Sequence, residues 1–493
     1  MTTNADLLLI NPQTNKKMYQ SLAGAHSAIE PPWYAASTAA FARNHGFTVQ
    51  IIDANAENFN IEEAAQLAKN INPKLINIIA YGQQPSDSAQ RMTAILEQCE
   101  AIKKLNSKIL IILTGIYPSA LPEKTLTEVN CDFVGKGEGF YTVLGLLQEK
   151  PHPEIPGLWR KENDKIVGNE NPQNIQDLDK ELPMPSFDLL PMEKYRSHNW
   201  HAFGDLGSRN KYASIYTSLG CPYNCTFCCI NSPFGKPGIR YWSPDTIIKQ
   251  IQLLVEKYGV KNIKFIDEMF VLKKEHVEGI ADKIIEKGYK INIWAYARVD
   301  TVNDLELLKK MKKAGFNWLC LGIESGSQHV RNSVVKGRFG EENIVKTVRR
   351  IQEAGIYVLG NYIFGLPDDT YETMNQTLQL AQELNCEWAN FYCAMAYPGS
   401  KLHQLAKEQG LALPDDNGIS GCIGYSQHAY ETLPLPTKTL SAAQVLKFRD
   451  EAHLAYFASE RYLTMLKNTF GNEAYEHVKS MNSIKLKRKI NGD

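Results

Sequence analysis

The first 150 residues alternate short apolar runs with amphipathic stretches. Five runs have the nearly unbroken apolar character of buried parallel strands: DLLLI (6–10), FTVQIID (47–53), KLINIIA (74–80), KILIILTG (108–115) and CDFVG (131–135). Stretches with helical spacing separate them, with starts at Pro31-Pro32 and Asp87-Ser88 and a stop at Gly46. The alternation predicts a Rossmann-like or flavodoxin-like α/β domain over residues 1–150, with ligands bound beyond the carboxyl ends of its strands.

The periodicity fades between residues 151 and 211. This stretch contains a candidate hairpin, IPGLWRKENDKIVGN, and a proline-rich segment, LPMPSFDLLPM. We interpret it as an ordered linker because it carries four apolar anchors: Trp159, Phe187, Tyr195 and Trp200.

A second αβ series spans residues 212–400. Its candidate strands are YASIYTS, IKFID, INIWAYARVD, WLCLGIES, VLGNYIFGLP and WANFYCAMAY. Six βα units predict a partial (β/α)6 barrel, like a TIM barrel but incomplete beside the eight units of a closed one. Its open side leaves room for a large substrate or another domain.

Residues 401–493 are helix-rich and predict a helical C-terminal domain. The segment ends in a basic run at Lys485, Lys487, Arg488 and Lys489. We interpret this run as a solvated face rather than a phosphate or lipid contact.

Charge and hydropathy narrow the class of protein. The 54 Lys and Arg residues balance the 54 Asp and Glu residues, so nucleic acid is not the expected partner. No apolar stretch approaches the roughly 20 residues that cross a bilayer, and Met1 to Asp6 contains no basic region typical of a signal peptide. We therefore expect a cytoplasmic, soluble protein that acts on a small molecule.

Four of the ten cysteines lie within nine positions. Cys221, Cys225 and Cys228 form a C-x3-C-x2-C array directly after the strand YASIYTS. Three thiolates can hold three irons of a [4Fe-4S] cluster and leave the fourth iron open for a ligand. The alternatives are a loop of packed thiols or a zinc site, although structural zinc usually takes four ligands. We expect Cys229 to pack away, because its neighbour already ligates.

This motif, with Phe227 before its third cysteine, resembles that of the radical S-adenosylmethionine (SAM) superfamily, and the resemblance extends over residues 212–400. It implies a [4Fe-4S] cluster whose open iron binds SAM. It also implies an electron donor, such as flavodoxin or ferredoxin, that reduces the cluster and so drives cleavage of SAM to a 5'-deoxyadenosyl radical. The implied SAM contacts are Asp267 and Glu268 for the amino group, Arg298 for the carboxylate, Glu324 and Ser325 for the ribose, and Gly365 near the adenine. Taken alone, the acidic pair is equally typical of a helix cap.

The N-terminal domain resembles the cobalamin-binding domain of class B radical SAM enzymes. The resemblance rests on LLLINP, on PPWYAASTAAFARNHGFTVQIIDA and on the GKGEG turn at residues 135–139. It implies that Gly115, Tyr117 and Gly137 contact cobalamin. None of the eleven histidines has an Asp-x-His-x-x-Gly context, so the implied corrin has no histidine on its lower face. The alternative is a Rossmann-like scaffold that has lost its ligand.

The leading hypothesis is a cobalamin-dependent radical SAM methyltransferase acting on an unactivated carbon, or less commonly phosphorus, of a small molecule. An alternative is cyclisation or ring rearrangement without methyl transfer, as in the anaerobic Mg-protoporphyrin cyclases that the chain also resembles. A third is a cobalamin and SAM binding module without turnover. The sequence assigns no catalytic residue. We interpret four aromatic residues near the barrel ends as core rather than pocket: Trp388, Tyr392, Tyr397 and Tyr425.

Overall fold

Two sheets organise the chain. The computed structural model describes residues 4–24, 26–82, 84–337 and 339–493. A seven-stranded sheet lies in the N-terminal part and a six-stranded parallel sheet in the middle. The C-terminal segment shares a hydrophobic core with each sheet. Among the described residues, no helix combines the length and the apolar character that crossing a membrane requires.

The N-terminal sheet confirms the five predicted strands. Its members are β1 (Leu7–Asn11), β2 (Val49–Asp53), β3 (Leu75–Ala80), β4 (Leu110–Gly115), β5 (Phe133–Gly135), β6 (Leu158–Glu162) and β7 (Lys165–Gly168). Their order is β2-β1-β3-β4-β5-β6-β7, and the first five are parallel. Every residue of β1 and β3 is buried, as expected for parallel strands covered on both faces.

The hairpin of β6 and β7 extends this sheet past residue 150. β6 pairs antiparallel with β5, so that Val134 lies opposite Trp159. Gly168 of β7 lies opposite Trp159 of β6. A Cβ on Gly168 would approach the Trp159 indole at 2.2 Å. The first part of the segment that we interpreted as a linker therefore belongs to the N-terminal sheet.

Helices pack on both faces of the N-terminal sheet, except α1, whose Met18 packs against Ile423 and Ala429 of the C-terminal segment. They are α1 (Asn15–Tyr19), α2 (Trp33–Asn44), α3 (Ala54–Glu57), α4 (Ile61–Ile71), α5 (Asp87–Leu105), α6 (Ile116–Ala120), α7 (Pro122–Glu128), α8 (Phe140–Leu147) and α9 (Leu178–Glu181). α2 follows Pro32 and ends just before Gly46, where the sequence predicts its limits. A capping box of Asn60 and Glu63 begins α4.

The six predicted barrel strands form a half-barrel. They are β8 (Tyr212–Ile215), β11 (Asn262–Phe265), β12 (Asn292–Arg298), β13 (Phe316–Glu324), β14 (Tyr357–Phe364) and β15 (Trp388–Cys393), and they pair in parallel in this order. A small antiparallel pair, β9 (Ser218–Leu219) and β10 (Arg240–Tyr241), brackets the cysteine motif. The intervening helices are α10 (Pro244–Tyr258), α11 (Lys274–Lys287), α12 (Leu305–Lys313), α13 (Gln328–Ser333), α14 (Glu341–Glu353) and α15 (Tyr371–Leu384).

The C-terminal segment bridges the two sheets. Its helices are α16 (Lys401–Glu408), α17 (Ala442–Phe457) and α18 (Glu460–Asn482), with a 3-10 turn at Ile419–Tyr425 packed on α5. Val445 of α17 joins the core of the N-terminal sheet, and Phe448 joins the barrel core. Arg488 is 1% exposed, so the interpretation of the basic run as a solvated face is wrong at this residue.

Candidate active site

The cysteine motif lies on the loop between β9 and β10. Gly220 turns the chain with a φ of 92°, and a Cβ there would approach a backbone oxygen across the loop at 2.5 Å. The turn therefore requires glycine. Cys221 is buried, and Cys225 and Cys228 are half-buried. Cys229 is 2% exposed and packs in the barrel core, where the sequence places it.

Asp267 uses its carboxylate to fix the strand that leads into this loop. The carboxylate accepts hydrogen bonds from the Thr217 N–H at 3.0 Å, the Thr217 hydroxyl at 2.8 Å and the Ser218 hydroxyl at 2.5 Å. Burial raises the pKa of Asp267 to about 6, and these hydrogen bonds oppose the shift. Both oxygens are engaged within the protein, so Asp267 positions the loop.

Glu268, the second member of the acidic pair, keeps an oxygen free. Its Oε2 atom is buried and has no hydrogen-bond partner among the described residues. Burial, together with the charge of Asp267, raises the pKa of Glu268 to about 8. An ammonium group would supply both the missing donor and a compensating charge.

Arg298 ends β12 beside the cysteine loop. Its Nε and Nη2 atoms donate to the two oxygens of Asp300, each at 2.8 Å. The guanidinium lies over the ring of Tyr223, 3.9 Å from the ring centre, and its Nη1 is 3.9 Å from Cys225 Sγ. The stacking and the ion pair hold the guanidinium plane in one orientation.

Glu324 ends β13 in a strained backbone conformation. Its φ is 66°, which is uncommon for a residue with a side chain. Lys336 Nζ lies 2.6 Å from Glu324 Oε1, and the Lys336 carbonyl accepts a hydrogen bond from Arg298 Nη2. A Cβ on Gly322 would approach Lys336 Nζ at 2.5 Å, so this glycine leaves room for the ion pair. One lysine of the loop after α13 thus contacts two predicted SAM residues.

Two further predicted SAM residues have close neighbours within the protein. Ser325 is fully buried, and its hydroxyl is 3.1 Å from the Thr377 hydroxyl. Gly365 has a φ of 79°, and its N–H donates to Asp369 at 3.0 Å. A Cβ on Gly365 would approach Val445 of α17 at 2.4 Å. Helix α17 therefore covers the end of β14 so closely that only glycine fits at position 365.

A cavity of about 430 Å³ lies between the two sheets and the C-terminal segment. Gln84 and Ser86 line it from the N-terminal part, Tyr296 and Cys320 from the barrel, and Arg449 from α17. Its volume is typical of a site for a small molecule. The aromatic residues that we interpreted as core all line its wall: Trp388, Tyr392, Tyr397 and Tyr425. Trp388 and Tyr425 also belong to the hydrophobic cores, as interpreted, but the interpretation overlooked the space that the C-terminal segment leaves beside the barrel.

Comparisons with known proteins agree with this architecture. The profile of the Radical SAM superfamily matches residues 215–381, and that of the B12 binding domain matches residues 25–147. An uncharacterized methyltransferase of Pyrococcus horikoshii is 30% identical over 477 residues, which cover 95% of each chain. The chain belongs to the B12-dependent radical SAM enzymes.

Two other comparisons extend this result. The anaerobic magnesium-protoporphyrin IX monomethyl ester cyclase of Rubrivivax gelatinosus is 24% identical, over 76% of this chain and 66% of its own length. The structure of the radical SAM methyltransferase TsrM from Kitasatospora setae, with cobalamin and a [4Fe-4S] cluster bound, matches with a TM-score of 0.65 at 17% identity. That match covers 83% of this chain and 75% of TsrM and shows a shared fold.

As a B12-dependent radical SAM enzyme, the protein uses a [4Fe-4S] cluster, SAM and cobalamin. Among the described residues, no three His, Cys, Asp or Glu side chains converge to hold a single metal ion. A cubane does not require such convergence, since each thiolate binds a different iron. Cys221, Cys225 and Cys228, brought to one loop at the barrel edge, fit this requirement.

The residues predicted to contact cobalamin lie in packed surroundings. Gly115 has a φ of 147°, and a Cβ there would approach a backbone oxygen of β3 at 2.3 Å. Tyr117 is 1% exposed, and its hydroxyl donates to Asp415 at 2.9 Å. The Gly137 N–H donates to the Ser119 hydroxyl at 3.1 Å. Their contacts with cobalamin stay predictions of the resemblance.

The cavity reaches the N-terminal sheet at the start of α5. Gln84, Ser86, Asp87 and Gln90 line it there, and the amides of the two glutamines and the hydroxyl of Ser86 suit the carboxamide side chains of a corrin. Four histidines also line the cavity: His26, His198, His428 and His453. Burial lowers the pKa of all four, so the imidazoles are neutral near pH 7. The sequence motif alone did not reveal that histidines from three parts of the chain meet here.

One contact between the N-terminal part and the β9–β10 pair was not predicted from the sequence. Glu138, inside the GKGEG turn, forms a two-pronged ion pair with Arg240 of β10, at 2.6 and 3.1 Å. Glu138 also accepts a hydrogen bond from the Ile175 N–H at 2.7 Å. The turn was visible in the sequence, but its partner lies 102 positions away and no local signal connects them.

Proposed function

We propose that this protein is a methyltransferase that transfers a methyl group to an unactivated carbon of a small molecule. The observation that carries the proposal is a cavity of about 430 Å³ whose walls come from both the B12-binding part and the barrel. When bound, SAM and the cluster supply the 5'-deoxyadenosyl radical and cobalamin supplies the methyl group. The names of the Pyrococcus horikoshii relative and of TsrM, both methyltransferases, support this choice over cyclisation.

Three side chains of the barrel edge carry the proposed SAM contacts. Glu268 Oε2 would accept a hydrogen bond from the SAM ammonium, because that oxygen is buried without a partner among the described residues. Arg298 would bind the carboxylate, since a guanidinium suits a planar anion. Glu324 would accept hydrogen bonds from the ribose hydroxyls through Oε2, because Lys336 already binds Oε1.

The cavity wall also suits radical chemistry. Its aromatic side chains, with Trp388 and Tyr425 among the buried ones, would limit the access of water to a radical held between the sheets. The small molecule itself, and a flavodoxin or ferredoxin as electron donor, are part of the proposal.

The test uses protein reconstituted anaerobically with iron, sulfide and cobalamin, and SAM that carries a deuterated methyl group. Under reduction we expect 5'-deoxyadenosine together with S-adenosylhomocysteine, and deuterated methylcobalamin by mass spectrometry. Release of 5'-deoxyadenosine without S-adenosylhomocysteine or labelled cobalamin would contradict methyl transfer and favour cyclisation. Absence of both products from cluster-loaded protein would contradict each catalytic alternative.

Arg298→Ala is a matched variant for this test. It should retain the cluster absorbance, since Arg298 is not a ligand, and should weaken SAM binding about tenfold or more through loss of a charge-assisted pair. An unchanged SAM affinity would contradict the proposed role of Arg298.

A further inference from the structure

We infer that the cavity binds an anionic group of the substrate, a phosphate, phosphonate or carboxylate, against Arg449. This inference rests on the proposed function, because it names the substrate class of the same site. It is carried by a buried cluster of charges in the C-terminal wall of the cavity, at Arg449, Asp450 and Arg488.

Arg449 presents a fixed guanidinium to the cavity. It lies on α17, lines the cavity and is 6% exposed. Its Nε donates to the Phe391 carbonyl at 2.7 Å, its Nη1 donates to Asp450 at 2.7 Å, and its Nη2 lies 3.3 Å from His428 Nε2. These contacts engage three of the five guanidinium hydrogens, so the group is held in place with donors to spare.

A second arginine competes for the same carboxylate. Arg488 Nε donates to Asp450 at 2.8 Å, and its Nη2 donates to the other oxygen at 2.9 Å. Two buried guanidinium groups therefore share Asp450 as their salt-bridge partner, and among the described residues neither forms a salt bridge with a second carboxylate. Asp493 contacts the backbone instead, because its Oδ2 accepts a hydrogen bond from the Arg488 N–H at 2.7 Å. A buried charge in this state favours an anion as ligand.

The neighbouring groups do not cancel this charge. The two arginines and burial lower the pKa of His428 well below its usual value, and burial lowers the pKa of His453 to about 3. Both imidazoles are therefore neutral at pH 7 and act as hydrogen-bonding groups. Lys485, which also lines the cavity, adds positive charge.

The acidic side chains that line the rest of the cavity already have cations of their own. Glu30 pairs with Lys264 at 3.0 Å, and Asp87 pairs with Arg91 at 2.8 Å. Of the three carboxylates in the wall, Asp450 alone is shared between two arginines. The positive end of the cavity thus lies at Arg449, and a substrate would orient with its anion there.

The test measures binding of inorganic phosphate to the cobalamin-loaded holoenzyme by calorimetry at low ionic strength. Arg449→Gln should weaken phosphate binding about tenfold or more, whereas Arg449→Lys, which keeps the charge, should stay within about threefold. Arg43→Gln is the matched control, because Arg43 forms an exposed pair with Asp188 and does not line the cavity. It should leave phosphate binding unchanged.

Several outcomes would overturn the inference. Wild-type holoenzyme that binds neither phosphate nor acetate would do so, as would Arg449→Gln protein with unchanged phosphate affinity. If Arg449→Gln fails to fold, Lys485→Gln replaces it and should weaken phosphate binding about threefold; unchanged binding would again contradict the inference. Loss of cobalamin absorbance from the folded Arg449→Gln protein would instead assign the positive charge to the phosphate of cobalamin.

The readouts separate this inference from the proposed function. Phosphate binding does not require reduction or SAM, whereas methyl transfer is followed by S-adenosylhomocysteine. Phosphate binding without S-adenosylhomocysteine would contradict methyl transfer alone, and the reverse would contradict the anion site alone.

Discussion

The barrel edge is the end of the half-barrel at Glu268, Arg298 and Glu324. Glu268 has an oxygen without a partner among the described residues, Arg298 lies beside Cys225, and Glu324 pairs with Lys336. At the edge of the N-terminal sheet, Gly115 and Tyr117 are enclosed by neighbouring backbone and by the C-terminal segment. Both sets were predicted from the same kind of resemblance. The two edges nevertheless differ in accessibility: Glu268 at the first keeps a buried oxygen without a partner among the described residues, whereas Gly115 and Tyr117 at the second are enclosed on all sides that their contacts define.

The difference follows from how each edge is closed. The cysteine loop is fixed by a required glycine and by Asp267, which follows the adjacent strand β11. The edge of the N-terminal sheet is closed by residues more than 290 positions away, since Tyr117 reaches Asp415. A short motif therefore specifies the first edge, whereas distant parts of the chain complete the second.

The largest expected effect tests the local edge. Replacing Cys221, Cys225 or Cys228 by Ala should abolish the iron-sulfur absorbance and all release of 5'-deoxyadenosine, because each thiolate binds a different iron. Absorbance spectra and product analysis of anaerobically reconstituted protein provide the measurement.

Cys229→Ala is the matched control in the same loop. Cys229 packs in the barrel core, so its loss should cost about 1 kcal/mol of stability and leave the cluster intact. A cluster lost in Cys229→Ala, or retained in any of the other three variants, would contradict the assignment.

The second prediction concerns the ion pair that joins the two edges. Glu138 and Arg240 are 5% and 16% exposed, and Glu138→Gln leaves the half-buried arginine without its charge partner. The free energy of unfolding should fall by about 3 kcal/mol, as measured by urea denaturation. Glu306→Gln, in an exposed pair with Lys309, should change it little. Equal losses of stability in the two variants would contradict a stabilising role of the Glu138–Arg240 ion pair.

The third prediction uses the free carboxylate of the barrel edge. Glu268 has a pKa of about 8 in the folded protein and 4.5 in a model peptide. Between these values the folded state binds more protons than the unfolded state, so stability falls as the pH rises from 4.5 to 8. Glu268→Gln removes this titration. The free energy of unfolding of the variant minus that of the wild type should therefore increase, by the order of a few kcal/mol, as the pH rises from 4.5 to 8. Above pH 8 this difference should stay constant.

Measurement of melting temperatures of SAM-free protein between pH 5 and pH 9 provides the check. Asp267→Asn is the informative companion, because Asp267 accepts hydrogen bonds from Thr217 and Ser218 and its loss should destabilise the protein. A pH-independent difference between Glu268→Gln and the wild type would show that Glu268 titrates normally.

Much of the fold could be predicted because its signals are local. Continuous apolar runs gave β1 and β3, and capping residues such as Asn60 marked the helices between the strands. The hairpin at Trp159 was also visible, but its pairing with β5 was not, since sheet partners are chosen by tertiary packing. The cavity could not be predicted for the same reason, because its wall includes Arg449 and Tyr425 from the distant C-terminal segment.

The candidate site divides in the same way. The motif gave the three cysteines and the strand-end residues Glu268, Arg298 and Glu324, because each lies at a fixed place relative to a strand. It missed Lys336, whose side chain and carbonyl contact Glu324 and Arg298, because a lysine in a loop carries no signal of burial. It also missed the pair of Glu138 and Arg240, since charge pairing across 102 positions leaves no pattern in one sequence.

The smallest expected effect tests the distant edge. Tyr117→Phe removes the hydroxyl that donates to Asp415 at 2.9 Å, while the Tyr425 hydroxyl still donates to Asp415 at 2.7 Å. Because one of two buried hydrogen bonds to this carboxyl is lost, stability should fall by about 1.5 kcal/mol. Cobalamin affinity, followed by absorbance titration, should stay unchanged if Tyr117 serves packing as its burial indicates.

Ser86→Ala, at the cavity wall beside α5, offers the contrast: a weaker cobalamin affinity in this variant and not in Tyr117→Phe would place the corrin at the cavity. The opposite result would restore the resemblance-based contact at Tyr117 and make the two edges alike.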